Sequence, residues 1–203
     1  MSACCEDVCS MKDPRGSQRR TLKIVLAINL VMFFVIAAAS VYGNSTSLLA
    51  DSLDNLGDVM VYGISLFVVS KGLAAKSRVA LFKGLLIFAA AFGVALQIFY
   101  KLLYPDMPLF EVMGAFSILG LIANSACLYL LWRHRDDDIN MSSVWECSRN
   151  DIASNLSVFV AGGLVWLTAS GWPDILVATA LVFFLLRSSI KVISSAITNL
   201  KIA

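Results

Sequence analysis

Six long apolar runs, separated by short polar joints, organise the chain. They fall at about Leu22–Tyr42, Leu48–Ser70, Val79–Tyr100, Val112–Trp132, Val144–Thr168 and Trp172–Ile193, the last with a helical extension toward the C-terminus. Each is near the roughly 20 residues that a helix needs to cross about 30 Å of hydrocarbon. The joint between the first two, Gly43–Ser47, is too short for anything but a tight reversal. The pattern predicts an all-α polytopic membrane protein with six transmembrane helices.

Basic residues fix a predicted orientation. Lys12, Arg15, Arg19, Arg20 and Lys23 precede the first run, and Lys71, Lys76, Arg78 and Lys83 join the second to the third. Arg133 and Arg135 join the fourth to the fifth, and Arg187, Lys191 and Lys201 lie at the C-terminal end. The opposite joints hold one basic residue between them, Lys101. The positive-inside rule then puts both termini in the cytoplasm, which an even number of spans satisfies.

Composition supports the lipid setting. Of 203 residues 59% are hydrophobic and 15% charged, with mean hydropathy +0.80, against about 25% charged in a soluble domain. Beside six spans the length predicts a tail over 1–21, a membrane domain over 22–200 and no soluble C-terminal domain. The first run lacks a small-residue cleavage site and reads as a retained helix. A net charge of +2 gives no footprint for nucleic acid. No glycine-rich phosphate loop is present. The five cysteines do not have the spacing of a secreted disulfide scaffold.

Ionisable groups within apolar runs carry the chemistry, because such groups are costly in hydrocarbon. Asp54 and Asp58 lie four apart, so a helix puts both carboxylates on one face. They would share protons, bind a cation, or both. Asp51 extends the stripe by one turn. In the fifth run Cys147 and Asp151 repeat the four-residue spacing, with Asn155 a turn further on. One thiol and three carboxylates form a donor set suited to zinc, cadmium or cobalt rather than magnesium or calcium. Spacing alone does not bring the two helices together.

The remaining polar residues have plainer readings. Cys127 has no ionisable neighbour at helical spacing and reads as packing. Asn29 and Asn124 read as interhelical hydrogen bonders. Asp174, just after Trp172 and Pro173, reads as a cap on its own helix. Cys4, Cys5 and Cys9 form either a metal-capturing tail or a plain reduced one; their spacing is no specific zinc signature. Asp136–Asp138 read as a hydrated loop able to attract cations. His134, between two arginines, is not an intramembrane ligand. Gly57, Gly63, Gly162 and Gly163 are candidates for close helix sliding.

Three segments in order resemble the cation diffusion facilitator family of metal transporters: SLLADSLDNLGDV at Ser47–Val59, NMSSVWECSRNDIASN at Asn140–Asn155, and SGWPDILVATALVF at the entry to the sixth helix. The resemblance covers about Leu22 to Leu200. It implies metal ligands at Asp54, Asp58, Cys147 and Asp151, with Asp51 and Asn155 as weaker or supporting candidates. It further implies efflux of a divalent cation, zinc foremost, in exchange for protons, across a bacterial cytoplasmic membrane. No prosthetic group and no enzymatic reaction are implied; the metal is substrate and the proton coupling ion. Two departures stand out. Cys147 occupies a position where the family commonly has His, and the family's usual cytoplasmic C-terminal domain is not seen after the sixth helix, so a homodimer would use membrane helices. The residues alone also admit a metal sensor or accessory protein without transport, a channel, or, least well supported, a membrane-embedded enzyme.

Overall fold

The structure, a computed structural model, describes residues 16–67, 73–135 and 139–202. Cys4, Cys5 and Cys9 lie outside the described residues, as do Lys12, Arg15, Lys71 and Asp136–Asp138. Six helices run α1 Gly16–Tyr42, α2 Thr46–Phe67, α3 Leu73–Leu103, α4 Phe110–Trp132, α5 Ile139–Thr168 and α6 Trp172–Ile202. There is no strand among the described residues. The described residues of all six expected runs are helical. Several helices reach past their apolar cores: α1 begins at Gly16, six residues before the expected Leu22, and α3 and α5 begin six and five residues before their expected starts. Hydropathy marks the part of a helix that lipid covers; hydrogen bonding carries the helix on through the polar flank.

Among the described residues five helices, all but α2, are long and apolar enough to cross a membrane on their own composition. The exception holds Asp51, Asp54 and Asp58. Its 22 residues still span about 33 Å at the usual helical rise. Position explains how those charges are tolerated: α2 packs against α1, α3, α5 and α6, so its polar face meets protein rather than lipid. The outside of the bundle is apolar, with Val31, Phe34, Phe99, Ile122, Leu167 and Phe183 all exposed. In a water-soluble protein such a surface would be a liability; here it is the lipid-facing coat of an integral membrane protein.

The helices form two groups. In one, α1 pairs with α2, α4 with α5, and α1 with α4; in the other, α3 pairs with α6. Contacts of α2 with α3 and α6, and of α5 with α6, join the groups. Glycine permits the closest approaches. A Cβ at Gly162 would come within 3.1 Å of Met113 Cβ across α4–α5, and one at Gly84 within 2.7 Å of Ile193 across α3–α6. Of the four glycines expected to allow sliding, only Gly162 is at such a contact; Gly57 and Gly163 have open space, and Gly63 meets only Leu26 at 4.0 Å.

One end of the bundle is tied by its three short joints. Leu109 N–H donates to Gly43 O at 2.9 Å, Asn44 Nδ2 donates to Asp106 Oδ2, and Gly171 lies against the Asp106 carbonyl. Asn44 adopts a left-handed φ of 50°, which Asn tolerates better than most residues. Ser45 then caps α2 through Leu48 N–H at 3.2 Å.

Asp174 completes this end and corrects an expectation. It does not cap its own helix. Its carboxylate crosses to the start of α2, accepting from Thr46 N–H at 2.9 Å, Ser47 N–H at 3.0 Å, Ser45 Oγ at 2.7 Å and Ser47 Oγ at 2.6 Å. Lys101 Nζ stands 3.8 Å away as its ion partner and also donates to Asn44 O. The carboxylate thus serves the positive end of α2 from 128 residues away in sequence.

The core has two apolar layers with a polar layer between them. On α2, Leu53 belongs to one layer and Val61 to the other, with Asp54 and Asp58 between. The same order recurs on three neighbours: Ile87 and Ala80 flank Lys83 on α3, Val158 and Trp145 flank Cys147 to Asn155 on α5, and Leu185 and Val192 flank Ser188 and Ser189 on α6. Asn29 on α1 and Asn124 on α4 lie between the same two layers.

Candidate functional site

Where the two helix groups meet, the polar layer opens into a cavity of about 50 Å³, room for a few waters or one ion with part of its shell. Asp54, Gly57 and Asp58 line it from α2, and Cys147, Asn150 and Asp151 from α5. Opposite them, α3 contributes Lys83, Gly84 and Ile87, and α6 contributes Leu181, Leu185, Ser188 and Ser189. All four residues predicted to act together border one space, so the two short acidic motifs do meet.

Direct bonds tie the site helices. Ser154 Oγ on α5 donates to Asp54 Oδ2 on α2 at 3.2 Å. Tyr62 Oη donates to Asp58 Oδ2 at 2.5 Å and lies 3.5 Å from Ser148 Oγ on α5. Asp58 is also within side-chain hydrogen-bonding reach of Asp151 and Cys147. Pairwise reach is not a common centre, however. Among the described residues no three His, Cys, Asp or Glu side chains gather closely enough to hold a metal ion as they stand. Asp54 accepts from Ser154 and Asp58 from Tyr62, so each carboxylate already serves a hydroxyl.

The supporting candidates are placed differently. Asp51 and Asn155 are buried but do not line the cavity. Among the described residues neither Asp51 carboxylate oxygen has a hydrogen-bond partner. Asn155 Nδ2 donates to Asp151 O at 2.9 Å, and its Oδ1 lies against Gly120 of α4 with no hydrogen-bond partner among the described residues. Asn29 bonds across helices only weakly, to Cys127 Sγ at 3.8 Å, and otherwise to Val25 O in its own helix. The Asn124 side chain, expected to bond between helices, has no hydrogen-bond partner among the described residues. Cys127 is buried in the apolar layer, as its reading as packing requires. His134 lies in the turn after α4, outside the helices.

Residues at and beside the cavity lie outside the sequence candidates. Ser154, three residues after Asp151, and Tyr62, four after Asp58, bond the site carboxylates without lining the cavity, and helical spacing of three or four was the available signal. Lys83 was counted among loop charges, yet it lies on α3, 2% exposed, in the cavity wall. Its position four residues inside the third apolar run was the available signal.

As an arrangement of donors, three carboxylates and one thiol around a small protected space suit a borderline or soft divalent cation. The chain is 26% identical to the "Cation efflux system protein CzcD" of Alcaligenes sp. (strain CT14), across 92% of this chain and 65% of that protein. It is equally similar, over the same shares, to the "Metal cation efflux system protein CzcD" of Cupriavidus metallidurans. The chain therefore spans about two thirds of the length of these relatives, at 65%. The family described as the cation efflux transmembrane domain matches residues 22–200, nearly the whole described bundle, and the chain belongs to that family.

Proposed function

We propose that the chain moves a divalent metal cation, zinc first and cadmium or cobalt as alternatives, out of the cytoplasm in exchange for protons. The observation that carries this reading is the meeting of Asp54, Asp58, Cys147 and Asp151 around one cavity at the joint between two helix groups. The names of the relatives, a cation efflux and a metal cation efflux protein, favour the same direction. In this reading the four side chains take the metal after it sheds water, and protons compete for the same oxygens and sulfur on the far side. One site used by both ions couples their fluxes. The membrane is a bacterial cytoplasmic membrane, and the termini face the cytoplasm, where Arg19, Arg20, Lys23, Arg78 and Arg133 would lie.

The test is flux in sealed liposomes, recording metal movement and internal pH together for zinc, cadmium, cobalt and manganese. Metal flux with opposite proton flux is expected from the wild type, and neither from Asp54→Ala. Metal flux without proton movement would instead indicate a channel. Tight binding with no flux of any ion would leave a sensor or accessory protein.

A further inference from the structure

Lys83 does not fit a simple metal site. It is a cation on a helix otherwise apolar at this level, in the run Ala80-Leu81-Phe82-Lys83-Gly84-Leu85-Leu86. It is 2% exposed, and among the described residues its Nζ has no hydrogen-bond partner. Burying an ammonium without acceptors is strongly unfavourable, and a leucine would fill the position at no such cost. The negative groups beside it offset that cost: Lys83 lines one cavity together with Asp54, Asp58 and Asp151. The residue beside it, Gly84, holds α3 close to α6. The ammonium is thereby anchored to the helix group opposite the one that supplies the carboxylates.

We propose that Lys83 is a tethered competitor of the cargo, a built-in cation that balances the α2 and α5 carboxylates when no metal is bound and is displaced when metal enters. This rests on the reading that those carboxylates receive the metal. A fixed positive charge lining the same cavity as a dication repels it, so Lys83 weakens metal binding and helps expel the ion. It also gives the empty carrier a neutralised site, in which the carboxylates need not face one another uncompensated. Because the competitor and the carboxylates belong to different helix groups, any change in the spacing of the groups alters how strongly the competitor acts. Lys83 is an affinity-setting residue in this scheme and need never touch the metal.

The test uses the purified full chain in lipid nanodiscs, titrated calorimetrically with zinc and with cadmium, and the same proteins in liposome flux. Lys83→Met removes the charge at similar volume, Lys83→Gln removes it but keeps a polar end, and Lys83→Arg keeps it. Expected for both neutral variants is a Kd tighter by at least about tenfold with a lower maximal flux, while Lys83→Arg stays near wild type in Kd. A purely structural role would weaken binding or leave it unchanged, and that result overturns the proposal. Asp58→Asn serves as the control. If it leaves metal binding unchanged, the site reading itself has failed; if it abolishes binding while Lys83→Met binds as wild type does, only the competitor idea falls. Should neither neutral variant fold without metal, added cadmium should restore a folded elution profile by supplying the missing charge. Failure of that rescue also overturns the proposal.

Discussion

Asp174 and Asp58 are both buried carboxylates in this bundle, and they differ in how completely they are satisfied. Asp174 accepts four hydrogen bonds, two from backbone amides and two from serines, and has Lys101 as an ion partner. Asp58 holds one short bond from Tyr62, lies within reach of two further acidic groups, and borders a cavity. A carboxylate surrounded by fixed donors is already solvated by the protein and has little to offer a ligand. One surrounded by other acids, with space beside it, is incomplete. Burial of charge, which both share, does not separate structure from function; the identity of the neighbours does.

Exchanging the two roles should give the largest effects. Asp174→Asn leaves Lys101 without its counter-charge and turns an acceptor into a donor facing Ser45, Thr46 and Ser47. Breaking a buried pair in this way costs about 3–5 kcal/mol, so the variant is expected to melt well below wild type in detergent. The molecules that do fold should still bind metal. Asp58→Asn is expected to do the reverse, with little loss in melting temperature and metal affinity lower by at least about a hundredfold, since even residues that only support a ligand cost 10- to 100-fold. Equal loss of stability in both variants would erase the distinction between the two ends.

The sequence made the acidic end readable and the tied end hard to read. Asp54 and Asp58, and Cys147 and Asp151, announce themselves through period four inside apolar runs, and two such motifs on separate helices gain little else by meeting. Asp174 was misread because its local pattern, a carboxylate in the first turn of a helix, has a good local explanation. Its actual partners lie on α2, 127 to 129 residues away, and nothing local encodes them. Lys83 was hidden by its chemistry: a basic residue near the start of an apolar run also looks like a flanking topological charge, and only the register of α3 turns it inward. α2 was legible as a helix, but its place against four others, which makes three aspartates tolerable, is a property of the packing.

A smaller effect tests whether Asp58 is positioned. Tyr62 Oη holds one carboxylate oxygen at 2.5 Å and is itself near Ser148. Tyr62→Phe keeps the ring in the apolar layer and deletes that bond. Metal Kd is expected to weaken by about 10- to 100-fold, in the range for groups that orient a ligand, with only a modest drop in melting temperature. An unchanged Kd would mean that Asp58 is held by Asp151 and Cys147 alone, or that it does not ligate.

The smallest expected change is one of preference. Cys147 is 2% exposed and borders the cavity beside Asp151 and Asn150, so a metal there would meet sulfur as well as oxygen. Thiolate favours cadmium over harder ions, while a hydroxyl of nearly the same size does not. In Cys147→Ser the cadmium-to-zinc affinity ratio should therefore fall by on the order of tenfold, or about 1.4 kcal/mol of differential affinity. Cys147→His should retain zinc and lose the preference for cadmium, because imidazole nitrogen is a good zinc ligand. Titration of all three proteins with both ions separates this from general damage to the site, which would weaken the two ions together. If the ratio holds constant while both affinities fall, Cys147 packs the cavity wall and the oxygens select the metal alone. That would bring α5 closer to the Asp174 end, where burial of a reactive group serves the fold.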